Sequence, residues 1–182
     1  MPDEGEIPSP HMGQIVTFYS FKGGTGRTMA LANVAWILAA NGKRVLIADW
    51  DLESPGLHRF FQPFMDARAS DRPGIVNLVR GYAWAMSDAE IDPEALHRAD
   101  TPRDAALAIS ARIDEHIGLL DSYVIPLSWQ FPGDGALFFL SPGKGANSDY
   151  QATLSSLNWD NFYENLYGDR FMTALRTYLK SK

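Results

Sequence analysis

The sequence predicts an α/β domain in which a mostly parallel sheet is flanked by helices. Three observations predict it. Residues Gln14 to Tyr19 alternate and carry β-branched and aromatic side chains, and they lead through a glycine-rich turn into helix formers from Met29 to Ala40. Val45 to Ala48 is a continuous apolar run ending in the carboxylates of Asp49 and Asp51, as in a parallel strand covered on both faces. Aromatic and aliphatic residues recur at helical spacing between Trp159 and Lys180, which suits helices covering a sheet. With 182 residues, 46% of them hydrophobic, the chain can bury one sizeable core, so a single domain is the default.

Residues 1–12 are acidic, proline-bearing and without periodicity, and read as a disordered leader or a tag; residues 13–182 form the domain. The first strand, Gln14 to Tyr19, delivers the chain to Tyr19-Ser-Phe-Lys-Gly-Gly-Thr-Gly-Arg-Thr28. Three glycines in four positions let the backbone wrap closely with its N–H groups inward. A helix starting at about Gly26 adds unpaired N–H groups and the positive end of its dipole, and Asn41-Gly42 closes it. Strand, glycine-rich turn and helix together make an anion cradle suited to a nucleotide triphosphate. Ligands of doubly wound sheets bind at the carboxyl ends of strands, so Asp49 and Asp51 are predicted to face the same crevice. There they would hold the water shell of Mg²⁺ and orient an attacking water.

The general phosphate loop asks for Gly, four residues, then Gly-Lys-Ser/Thr; Phe21 and Arg27 break that pattern. The loop instead resembles the deviant Walker A class of P-loop NTPases, the ParA/MinD/ArsA-like ATPases, whose loop reads Lys-Gly-Gly-x-Gly-Lys-Thr. Lys22 matches the signature lysine, Gly23, Gly24 and Gly26 the glycines, and Thr28 the magnesium-binding hydroxyl. Arg27 departs from it and is similar to a variant branch reading Lys-Gly-Gly-x-Gly-Arg. Asp49-Trp-Asp-Leu-Glu-Ser-Pro-Gly-Leu57 resembles that branch's second motif, followed by a switch sensing the γ-phosphate. The resemblance implies a nucleotide-contacting set of Lys22, Gly23, Gly24, Thr25, Gly26, Arg27, Thr28 and Met29, binding ATP or ADP. It implies Mg²⁺ at Thr28 and Asp49, and catalytic roles for Lys22, Arg27 and Asp51, with Asp51 orienting water and Lys22 reaching the phosphates of a partner protomer. It covers residues 13–61 with specific motifs and 136–180 loosely.

Beyond the switch, Leu57, Phe60 and Phe61 read as core contacts and His58 as a surface residue. About 62–118 reads as a helical insertion, with helices from Gly74 toward Trp84, at Ser87 to Glu90, and from Thr101-Pro-Arg-Asp104 to about Ile113. Such insertions often carry partner surfaces. Leu119 to Leu127 and Ala136 to Ser141 read as strands. The Pro142-Gly-Lys-Gly145 turn reads as an ordinary loop, with Lys144 a weaker candidate for touching base or ribose. Trp159 to Lys180 reads as helix interrupted at Gly168 and packed on the core, ahead of a membrane-surface helix.

Net charge is −6, so no global basic field favours nucleic acid or anionic lipid. The sequence contains no cysteine, which excludes disulfides and thiolate metal sites and fits a cytoplasmic protein. The family carries a further strand ending in the Walker B aspartate, expected directly after the last helix and not met before Lys182. The expectation is therefore the N-terminal portion of a Mg²⁺-dependent ATPase that forms a nucleotide-dependent homodimer and serves an unidentified protein partner or downstream domain. The alternative is a nucleotide-sensing interaction module with little or no hydrolysis, and turnover by this chain alone is expected to be weak or absent.

Overall fold

The computed structural model describes residues 12–67, 69–87, 102–143 and 148–182. Helix α1, Arg27–Ala40, is followed by strand β1, Arg44–Ala48, the short helix α2, His58–Phe61, and helix α3, Ile75–Ser87. Then come α4, Pro102–Gly118, α5, Leu120–Tyr123, and strands β2, Ile125–Pro126, and β3, Ala136–Leu140. Three helices close the order: α6, Ser148–Ser155, α7, Trp159–Glu164, and α8, Gly168–Lys180. The leader up to His11, the Ser87 to Glu90 helix start beyond Ser87, Thr101 and Lys144 fall outside the described residues.

The sheet runs β1-β3-β2. β1 and β3 are parallel in the register Arg44↔Ala136 to Ala48↔Leu140, and Asp49 extends the ladder by donating its N–H to the Leu140 carbonyl at 3.1 Å. β2 adds a short antiparallel pairing, Ile125↔Phe139 and Pro126↔Phe138. Proline suits this edge position because it has no N–H to offer a further strand.

The apolar run of β1 is covered on both faces, and its side chains divide with the period of two that a strand imposes. Ile47, Leu137 and Phe139 join Ala32, Ala35 and Ala39 of α1 in one core. Leu46, Ala48 and Leu140 face the other core, built from Ile75, Leu78, Val79 and Tyr82 of α3, Ile109, Ile113 and Ile117 of α4, and Phe171 and Leu175 of α8. Two helices of the 62–118 stretch thus form the second helical layer together with α8. The expected core contacts Leu57 and Phe61 are buried, whereas Phe60 is exposed.

Three sequence expectations need correction. Gln14 to Tyr19 forms no strand: among the described residues no strand pairs with it, and Ile15, Val16 and Tyr19 are exposed. Strand propensity does not supply a neighbour for backbone N–H and C=O groups, and the segment is tied at its start by Gly13 N–H donating to the Lys180 carbonyl at 2.6 Å. Leu119 to Leu127 is strand only at Ile125–Pro126. Its first half is α5, because a helical turn lets Leu120 and Tyr123 share a face against the core. The break in the last helical stretch falls at Asn165 to Tyr167, not at Gly168, which starts α8. A Cβ at Gly168 would lie 2.5 Å from the Phe162 ring, so the residue is small to let α7 and α8 meet.

Tyr82 joins these helices. Its ring stacks on Phe171 with centroids 4.4 Å apart, and its hydroxyl donates to the Leu166 carbonyl at 2.7 Å. Burial, reinforced by Asp169 and Tyr167, pushes its pKa up to about 12 from an ordinary 10.0. A folded-state pKa above the unfolded one stabilises below the unfolded value and loses that stability as pH rises through the folded one. Between pH 10 and about 12 the wild type is therefore expected to lose up to about 1.4 kcal/mol per pH unit that Tyr82→Phe does not. Urea melts of both proteins at stepped alkaline pH check this; parallel pH profiles would contradict it.

Candidate functional site

The glycine-rich turn is built to leave its N–H groups open. Gly24 and Gly26 adopt φ of +74° and +79°, the left-handed region that a side chain disfavours. A Cβ on either would meet nothing within 4 Å, so the requirement for glycine is conformational and not steric. The Ser20 hydroxyl donates to the Lys22 carbonyl at 3.0 Å, and the Thr25 hydroxyl donates to Ser20 Oγ at 3.1 Å, closing the turn. α1 begins at Arg27 with Gly26 at its N-cap, no side-chain cap and no acidic residue in its first turn. Its leading amides and dipole thus face solvent where an anion would sit. Lys22, Gly23, Gly24, Thr25 and Gly26 lie exposed on the turn; Arg27 and Thr28 are half-buried and Met29 is exposed.

Opposite stands the segment leaving β1. Asp49 is only 5% exposed, and both of its carboxylate oxygens are used within the chain. Oδ1 accepts from Asp51 N–H at 3.2 Å and Oδ2 from Leu57 N–H at 3.1 Å. Burial raises its pKa, while the N–H bonds of Leu57 and Asp51 pull the other way and the Asp51 charge adds to the rise. Asp49 therefore folds the segment after β1 back on itself. Asp51 points outward: Oδ1 accepts from Ser54 N–H at 3.2 Å, and Oδ2 pairs with Arg27 Nη2 at 2.7 Å. The structure thus joins Arg27 and Asp51 directly, places Asp49 behind them, and leaves Lys22 on the exposed turn.

Sequence reasoning missed Tyr150. From α6 its hydroxyl donates to the Leu52 carbonyl at 2.7 Å, fixing the residue next to Asp51. Burial raises its pKa, helped by the Asp49 and Asp51 charges. The eight-residue α6 has no marked apolar stripe, and the one available signal was the need of a buried tyrosine for a hydroxyl partner. Of the Pro142 to Gly145 turn only Pro142 and Gly143 are among the described residues; the Ser141 and Pro142 carbonyls accept from Ile75 and Val76 N–H at 3.0 and 2.8 Å and begin α3. A shallow depression of about 640 Å³ lined by Leu127, Ser128, Trp129 and Gln130 shares no residue with the turn or the carboxylates.

An uncapped helix behind a left-handed glycine turn, faced by a carboxylate-tipped strand, defines a phosphate-binding class of α/β domain. Residues 16–113, just over half of the 182, match the CobQ/CobB/MinD/ParA nucleotide binding domain. The chain belongs to this family of nucleotide-binding domains, and both the turn and the Asp49 to Leu57 segment lie within the matched residues. It is also 46% identical over 44 residues to an uncharacterized ATP-binding protein of Methanocaldococcus jannaschii, a match that covers 24% of this chain and 17% of that protein's length. No solved structure matches.

Removing the Asp49 carboxylate strands two partly or fully buried N–H donors. Asp49→Ala is expected to cost about 1–3 kcal/mol by urea denaturation, and Asp49→Asn, which keeps one acceptor, less. Equal stability of all three proteins would show that Asp49 does not hold the segment.

Proposed function

We propose that this chain is an ATP-binding, Mg²⁺-dependent ATPase switch module, the N-terminal part of a larger regulatory, signalling or partitioning protein. The observation that carries the reading is the open glycine turn at an uncapped helix whose first residue, Arg27, reaches the Asp51 carboxylate. Family membership and the short match to an ATP-binding protein support nucleotide as the ligand. In this reading the amides of Gly24 to Met29 and the Arg27 guanidinium hold the β- and γ-phosphates. Arginine's planar fork contacts two phosphate oxygens where lysine offers a point charge.

The donors near the turn fit Mg²⁺ of the kind that keeps its waters and takes phosphate oxygens. Thr28 would hold it directly and Asp49, with both oxygens already bonded, through water. Among the described residues no group of three or more His, Asp or Glu could hold a metal ion unaided. Bound there, Mg²⁺ supplies charge neutralisation across the phosphates. Asp51 would orient the attacking water.

Dimerisation around nucleotide, with Lys22 reaching the partner's phosphates, is part of the proposal. The exposed apolar side chains of Ile15, Val16, Tyr19 and Phe21, and of Met29, Val34, Ile37 and Leu38 on α1, support a covering partner. Among the described residues no helix is long and apolar enough to cross a membrane; a cytoplasmic location is part of the proposal. A second reading, a nucleotide sensor with little hydrolysis, draws support from the engagement of Asp51 by Arg27.

Arg27→Ala is expected to abolish nucleotide binding and Arg27→Lys to retain it; undiminished ATP binding by Arg27→Ala in equilibrium dialysis would remove Arg27 from the site. Asp51→Asn should keep ATP bound but stop phosphate release. Unchanged release would take Asp51 out of the mechanism, and no release by the wild type with ATP bound would mean either the sensor or an ATPase domain that needs a further strand for turnover.

A further inference from the structure

We propose that Arg27 and Asp51 form a releasable latch, in which the guanidinium that serves the phosphates of bound nucleotide holds the Asp51 carboxylate when nucleotide is absent. This inference rests on the reading of the glycine turn as the phosphate site and adds its regulation. The pair joins two elements 24 residues apart, the first residue of α1 and the segment leaving β1, at 2.7 Å. A carboxylate and a phosphate offer an arginine fork the same paired, charged oxygens. A fork turned to grip two phosphate oxygens with parallel N–H bonds is turned away from Asp51, and the arriving phosphate brings negative charge up to that carboxylate. Exchange of one anion for the other is the consequence.

The rest of the segment is held independently of Arg27, so the exchange frees the carboxylate without unfolding its backbone. Asp49 accepts from Asp51 and Leu57 N–H, Asp51 Oδ1 accepts from Ser54 N–H, and the Tyr150 hydroxyl donates to the Leu52 carbonyl. Both partners are also partly open to solvent, at 32% for Arg27 and 39% for Asp51, so the latch is weak enough for a polyphosphate to open. Asp51 is thereby kept neutralised by its own chain until phosphates take Arg27 away. An arginine in this slot makes the latch two-sided, since its fork matches either anion.

The test is calorimetric titration of Mg²⁺-free ADP into wild type, Asp51→Asn and Glu53→Gln. Glu53 is an exposed carboxylate two residues further along the segment and reports any general repulsion of the ligand. The latch predicts that Asp51→Asn binds ADP about two- to five-fold more tightly than wild type, as does Asp51→Ala, while Glu53→Gln binds as wild type does. Trp50, between the two aspartates and 46% exposed, gives a second readout. Its emission, taken as the difference from Trp50→Phe, should shift on adding ADP to the wild type and stand already shifted in ligand-free Asp51→Asn. Equal or weaker ADP binding by both Asp51 variants, or an equal gain in Glu53→Gln, would overturn the latch and leave the phosphate site standing. Absence of ADP binding in every protein, wild type included, would overturn the phosphate site and the latch with it.

Discussion

The carboxylate of Asp49 is the constraint on which the site depends. It sits where β1 ends, buried behind the sheet edge, and takes the N–H groups of Asp51 and Leu57. Those two bonds turn the chain back within a few residues, which sends Leu57 into the core beneath α1 and leaves Asp51 facing outward. A buried carboxylate is costly, and N–H donors offset that cost only while the segment keeps this shape. The shape of this segment and the ionisation of Asp49 are therefore one property.

Around this point the two cores act on opposite sides of the sheet. The first, through Ala32, Ala35 and Ala39, holds α1 close to β1 and so fixes where the helix N-terminus points. The second, through α3, α4 and α8, holds the sheet from behind. Tyr150 adds a bond from α6 to the segment itself, linking residues that lie far apart in sequence. The glycine turn is closed by its own Ser20 and Thr25 hydroxyls, and a Cβ added at Gly23, Gly24 or Gly26 would meet nothing within 4 Å.

Much of this was legible in the sequence where one residue's neighbours decide its state. The continuous apolar run of β1 announced a strand with both faces covered, and Asn41-Gly42 announced the end of α1, because the α1 carbonyls of Ile37, Leu38 and Ala39 are met locally by N–H groups of residues 41 to 43. The glycine turn and the two aspartates were likewise visible as a pattern. Features that depend on distant partners were not. Gln14 to Tyr19 has the composition of a strand but pairs with no described strand. Leu119 to Tyr123 has apolar residues that serve a helical turn as well as a strand, and packing of Leu120 and Tyr123 decides for the turn. The Arg27–Asp51 pair and the Tyr150 hydroxyl join residues 24 and 98 positions apart, and no periodicity signals such a contact.

The most direct test of the account is a backbone-amide NMR titration of the chain with ADP. Phosphate at the glycine turn requires the largest shifts at Gly23, Gly24, Gly26, Arg27, Thr28 and Met29, with smaller ones at Asp51 and Ser54 as the guanidinium moves. Shifts concentrated instead around Leu127 to Gln130, or none at the turn under saturating ADP, would contradict it.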